Sequence, residues 1–254
     1  MALRLLSNAA ESDMNNGIYA ASTGLLARTQ ELDLAANNLA NANTTGFRGS
    51  HVSFKTQMMN ASADASTRTV SSFGVLGSPR TDFSQGSMQQ TGNSLDLALE
   101  GSGFFAVQSP TGVQYSRNGN FHLTRDGSLV TAQGFPVLGD KGPILLPGGN
   151  VEISSTGVIS VNGDVAGQLQ LSEFDPDVPL TSLGDAYFSA PSAAAKPAGN
   201  LTVLQGSLES SNVNPVESAV GLIEIQRNAE MMQRALTTFH NEFNKTAAEE
   251  LPRV

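Results

Sequence analysis

Few residues in this chain have the type and spacing to do chemistry, and those few restrict it. His51, His122 and His240 lie far apart with no metal-ligand spacing. The absence of cysteine from 254 residues removes thiolate metal sites, thiol nucleophiles and disulfides. His122 sits in Asn120-Phe121-His122-Leu123 with Asp126 nearby. The neighbouring Ser116 belongs to a polar strand pattern and not to the strained Gly-x-Ser-x-Gly turn of a nucleophilic serine, so His122 reads as a surface or inter-strand residue. His240, beside Phe239, reads as an interface polar residue. Asp96 and Glu100 could form an acid–base pair, but Asp96 alternates with apolar neighbours in a strand and is expected to face solvent. Gly101-Ser102-Gly103 lacks the third glycine and following helix of a dinucleotide loop and reads as a strand-edge turn. The expectation is a chain with no catalytic, cofactor or metal site.

Composition narrows the partners. Lys and Arg total 14 against 23 Asp and Glu, a net charge of −9 that disfavours nucleic acid and anionic lipid surfaces. No apolar run approaches the roughly 20 residues of a membrane helix, and the first 13 residues lack a secretory apolar region, so membrane insertion and a cleaved signal are not expected. Charged residues make up 15%, low against the usual quarter or so, while 25 Gly, 11 Pro and no Trp describe a turn-rich chain of small side chains. A Ser-, Thr- and Asn-rich surface is compatible with packing against copies of itself, where a buried unpaired charge is costly.

The elements that must position these residues change character twice. From Met14 to about Ala42 there is no Pro, and Ile18, Leu25, Leu32 and Leu39 recur every seven residues with Ala21, Ala35 and Ala42 between them. This predicts a helix with a narrow seam, ended at Thr44-Thr45-Gly46 by a glycine suited to a left-handed cap. His51 to Thr81 has weak periodicity and reads as an extended or irregular connector. Between Asp82 and Leu208, short apolar or alternating runs predict strands at Leu95–Leu99, Gly103–Val107, Val113–Ser116, Ser128–Thr131, Val151–Ile153, Val158–Val161 and Gln168–Leu171. Hairpin turns are expected at Ser109-Pro110-Thr111-Gly112, Arg125-Asp126-Gly127 and Val161-Asn162-Gly163-Asp164.

After Asn212 the helical period returns. Asn214 can cap, Pro215 suits the first helical position and Glu217 stands where a capping box puts its acid. Leu222, Ile225, Ala229, Met232, Leu236, Phe239 and Phe243 then follow a heptad spacing. Stripes this narrow fit a coiled-coil seam, formed by the two ends with each other or with neighbouring subunits; a helical layer on the β domain is the alternative. The run Asn37-Asn38-Leu39-Ala40-Asn41-Ala42-Asn43 is unusual, since Asn disfavours helix interiors. It reads either as a fraying helix end or as amides bonded to adjacent backbones in a crowded assembly.

Three blocks carry a family resemblance. Ile18-Tyr19-Ala20-Ala21-Ser22-Thr23-Gly24-Leu25, followed by Ala36-Asn37-Asn38-Leu39-Ala40-Asn41-Ala42-Asn43-Thr44-Thr45-Gly46-Phe47-Arg48, resembles the N-terminal motif of bacterial flagellar rod and hook proteins. Gly86 to Phe105 is similar to the opening of that family's β domain, and Gln205 to Asn214 with its following helix is similar to the C-terminal block. The resemblance implies an α+β fold: discontinuous terminal helices forming an inner coiled-coil layer, with a central, mostly antiparallel all-β domain packed outside it. It implies a structural subunit of the flagellar rod that polymerises with itself and other rod proteins. It also implies passage through the flagellar type III export apparatus without a cleaved signal, to a rod crossing the periplasm.

The corresponding division is 1–13 extension, 14–48 helix, 49–81 connector, 82–208 β domain, 209–247 helix and 248–254 tail. Residues 1–13 are either a real extension or an early start. The connector lacks the longer Gly-rich insertion of distal-rod members, which favours a proximal-rod member. The assembly interface implied comprises Ile18, Ala21, Leu25, Leu32, Asn37, Asn38, Leu39, Asn41, Gly46 and Phe47 at the amino end. At the carboxyl end it comprises Asn212, Asn214, Leu222, Ile225, Met232, Leu236, Phe239 and Phe243. Arg28 falls on the seam and must snorkel or pair. No cofactor, small-molecule substrate or nucleic acid is expected. The rival classes are an extracellular glycan-binding β module, which three Tyr and no Trp serve poorly, and a hydrolase using His122, Asp126 and Asp96.

Overall fold

The computed structural model describes residues 2–52, 54–58, 72–76, 79–175, 178–191, 194–199 and 201–250, with side chains from 21–52, 79–175, 178–191, 194–199, 201–241 and 245. Two compact units emerge. One holds both helices, α1 (Ala2–Ala40) and α2 (Pro215–Glu250), with a hairpin of Phe54–Met58 and Ser72–Leu76. The other, residues 40–49 and 81–215, is built of strands. The fold is therefore α+β.

Three expectations about the elements are corrected. The helix predicted from Met14 already begins at Ala2, because nothing in residues 2–13 breaks a helix, and it ends at Ala40 with Asn41 to Gly46 in turns. The connector contains a five-pair antiparallel hairpin from Phe54↔Leu76 to Met58↔Ser72. Its two strands, Phe-Lys-Thr-Gln-Met and Ser-Phe-Gly-Val-Leu, are short runs inside a segment whose overall periodicity is weak. The Gln168–Leu171 run is split between the ends of two strands, Asp164–Gln168 and Leu171–Glu173.

In the β unit every strand pairing is antiparallel. A six-stranded sheet runs in the order Thr181–Gly184, Tyr187–Ser189, Gly112–Ser116, Phe104–Ser109, Leu171–Glu173, Lys196–Pro197. At its centre, Phe104–Ser109 is apolar on both faces. Phe105 and Val107 enter the main core with Leu97, Leu99, Phe121 and Ile159, while Phe104 and Ala106 enter a second core with Tyr115 and Phe188. A strand covered on both sides needs no alternation, and the continuous Phe-Phe-Ala-Val run records that. The second core is aromatic, its Phe104 and Phe188 rings 5.8 Å apart and tilted edge to face.

All three expected turns are present. Ser109↔Gly112, Leu123↔Leu129 and Val161↔Asp164 close their hairpins. Asn162 (φ 54°) and Gly163 (φ 94°) are both left-handed, as a two-residue hairpin matched to strand twist requires. The strands Leu97–Glu100 with Thr202–Gln205, and Met88–Gln90 with Ser207–Glu209, bring the start and end of the β unit together.

Candidate assembly interface

Of the residues read as candidate chemistry, Asp96 and Ser116 are taken up by structural hydrogen bonds. Asp96, expected to face solvent, is buried at 4% exposure. Its Oδ1 accepts from Asn93 Nδ2 (3.1 Å) and Asn120 Nδ2 (3.0 Å), and its backbone oxygen accepts from Gly206 N. Alternation failed here because Asp96 forms an isolated bridge with Asn120, where two amides replace water. Glu100 is exposed. Ser116 is buried with its hydroxyl donated to Ala186 O at 2.9 Å, while His122 lies exposed opposite Val130 on another ribbon. No hydrogen bond joins Ser116, His122 and Asp126 among the described residues. Nor, among those residues, is any group of three or more His, Asp or Glu placed to hold a metal.

Where the chain enters and leaves the β unit, polar groups concentrate. Gly46 takes φ 69°, and a Cβ there would stand 2.4 Å from Asn118 N and 2.5 Å from Arg117 C, so only glycine fits. Its N–H donates to Glu209 O at 2.8 Å. Asn212 accepts from Gly49 N at 2.8 Å through Oδ1 and donates through Nδ2 to Asp82 O (2.9 Å) and Ser84 O (3.2 Å). One amide thus ties two stretches of backbone, at Gly49 and at Asp82–Ser84, to its own. Phe47 is buried beside this clamp, and its carbonyl accepts from Asn212 N.

Beneath the clamp lies a buried ion cluster that sequence reasoning missed. Glu209 is 0% exposed. Its Oε1 accepts from Arg48 Nη2 (2.6 Å) and Gly86 N (2.9 Å), and its Oε2 from Arg117 Nη1 (3.3 Å). Arg117 also donates to Leu99 O and Gly101 O and stacks its guanidinium 5.4 Å from the Phe104 ring centroid. Burial lowers the Arg117 pKa to about 10, against the opposing pull of Glu209 and with a further push from Arg48. It stays charged at neutral pH. The available signal was indirect: Arg48 ends one family-like block of small and polar residues and Glu209 lies inside another.

The helical unit is held more lightly. Asn38 is buried; its Nδ2 donates to Ser50 O (2.8 Å) and its Oδ1 accepts from Ser50 N (2.9 Å). Asn41 accepts from the Thr44 hydroxyl, and Asn37 is exposed. Within the amide run, Asn38 thus supports its own chain's backbone. Arg28 pairs with Glu31 one turn on. On α1, Ala21, Leu25, Leu32 and Leu39 are half-buried, as are Leu222, Ile225, Met232 and Leu236 on α2. The two helices touch: Met232 Cε lies 3.1 Å from where a Cβ on Gly24 would stand. Phe239, further along the seam, is 58% exposed, and Asn214 is exposed at the start of α2. Ile18 and Phe243 occupy helical positions, but their side chains lie outside the described residues.

Family models match the same three regions. Residues 18–48 match the flagella basal body rod protein model, 98–161 the FlgE/F/G D1 domain model of flagellar hook proteins, and 204–248 the C-terminal model of basal body rod FlgEFG proteins. The chain is 34% identical to the flagellar basal-body rod protein FlgF of Caulobacter vibrioides, across 95% of this chain and all of that protein. The chain belongs to the flagellar basal-body rod protein family. Further rod-protein relatives are FlgG of Buchnera aphidicola subsp. Acyrthosiphon pisum, 34% identical over 87% of this chain and 94% of its own, and FlgF of Rhizobium meliloti, 35% identical over 84% and 89%. Members of the rod family are structural subunits of the flagellar basal body. The clamp at Gly46 and Asn212 joins the ends of the first and last matched regions.

Proposed function

We propose that this rod-family subunit sits in the proximal rod and polymerises helically with copies of itself and with other rod proteins, transmitting torque for motility. In this reading α1 and α2 form a coiled-coil layer, and the subunit reaches the periplasm through the flagellar type III export apparatus without a cleaved signal. The observation that carries the reading is the pair of half-buried heptad stripes, whose Phe239 remains open to solvent within one chain. Narrow-seam helices gain most of their stability from packing, so neighbouring subunits complete them.

The proximal position is supported by the full-length match to a FlgF protein. The FlgG match leaves more of this chain uncovered, yet its equal identity makes the distal rod the second reading. Deleting the gene should abolish swimming, and a tagged product should fractionate with basal bodies. Gold label at the cell-proximal end of purified rods supports the first reading, and label at the distal end the second. A deletion strain that swims normally would remove both.

A further inference from the structure

Beside the Gly101-Ser102-Gly103 turn of the β unit lies a cleft of about 410 Å³, within the size range of small-molecule sites. Phe83, Phe104, Phe174, Val178 and Leu180 form its apolar wall. Phe83 and Phe174 each lean on Phe104, with ring centroids 5.8 and 5.7 Å apart, so the three rings hold one another in place. Phe83 nevertheless remains 41% exposed, which leaves ring surface for something else to cover.

Charge around this wall is lopsided. Asp175 lines the cleft but is paired with Lys196 Nζ at 2.6 Å. Glu173 lines it too, yet Ser172 stands directly opposite Phe104 in the sheet, so those two share a face and alternation sends the Glu173 side chain to the other one. The charge that remains is Arg117, stacked on the Phe104 ring. It belongs to a buried cluster in which two guanidinium groups face one carboxylate, a net of +1. Among the described residues, neither Arg48 Nε nor Arg117 Nε has a hydrogen-bond partner. A buried excess charge is costly unless a counter-charge stands near it. At the lip, Ser102 is exposed, and among the described residues neither its hydroxyl nor its N–H is hydrogen-bonded. A cationic ligand would be repelled here, and a neutral one would gain from the apolar wall alone. We propose that the cleft binds a small monocarboxylate with an aromatic or branched apolar body, its carboxylate turned toward Arg117 and Ser102 and its body laid on the phenylalanine wall. The site lies wholly within the β unit and stands independently of the polymer reading above.

The probe is 3-phenylpropionate, equilibrated by dialysis against the full chain beside 3-phenylpropanamide, which has the same shape without the charge. The expected result is one saturable site per chain, filled about tenfold more tightly by the acid than by the amide. Val178→Trp places a bulky ring at the half-buried rim, leaves the ion cluster intact and should weaken the acid about tenfold or more. Phe83→Ala, which trims a partly exposed ring, should weaken it about fivefold and serves if the Trp variant does not fold. Circular dichroism checks the fold of each variant. Equal affinity for acid and amide, undiminished binding by both folded variants, or no saturable binding of the acid would each overturn the proposal.

Discussion

The β unit and the helical unit solve the burial problem in opposite ways. In the β unit a carboxylate with no exposure is balanced by two arginines and a backbone N–H, and a central strand is covered on both faces. Its buried charges are balanced internally, although the Nε atoms of Arg48 and Arg117 are buried without a hydrogen-bond partner. In the helical unit, seam residues are half-buried and large apolar side chains such as Ile223, Met231 and Phe239 stay more than half exposed. The contrast separates a part whose core is closed by its own chain from a part that keeps large apolar side chains open, the part that the proposed function has neighbours complete.

The sharpest way to test that division is to remove the Glu209 charge. Glu209→Gln should leave two buried guanidinium groups uncompensated and cost about 3–5 kcal/mol of β-unit stability, read as a shift in denaturant midpoint. Gly46→Val should cost about 2 kcal/mol or more, since its φ and the 2.4 Å approach to Asn118 N exclude a side chain. Asn212→Ala removes one acceptor and two donors from the clamp and should cost about 1–3 kcal/mol in the same measurement. At the small end, Phe239→Ser should change monomer stability by less than about 0.5 kcal/mol while lowering the fraction that sediments as polymer. A large monomer effect at Phe239 would show that the helical unit is also self-completed and would erase the comparison.

How much of this was legible depended on whether the cause was local. Asn162-Gly163 and the Asn214-Pro215 start of α2 were readable because their conformations are set by the residues themselves. The Phe104-Phe105-Ala106-Val107 strand was readable because two-sided burial leaves an unbroken apolar run. Asp96 misled because period-two reasoning knows only core and solvent, not a carboxylate held by Asn93 and Asn120. The Arg48–Glu209 pair was out of reach, since its partners stand 161 positions apart. The Phe54–Met58 hairpin lies inside a segment whose overall periodicity is weak. The heptad stripes were visible, but only side-chain exposure distinguishes the face that α2 turns inward from the one bearing Val220 and Ile223.

The side-by-side arrangement of residues 46–49 and 209–212 has a mechanical consequence. Tension applied to the two roots travels across a short bridge of hydrogen bonds and the Arg48–Glu209 bond, and bypasses the six-stranded sheet. Stretched by those roots in an optical trap, the protein should yield first by shearing that bridge, with the sheet still folded.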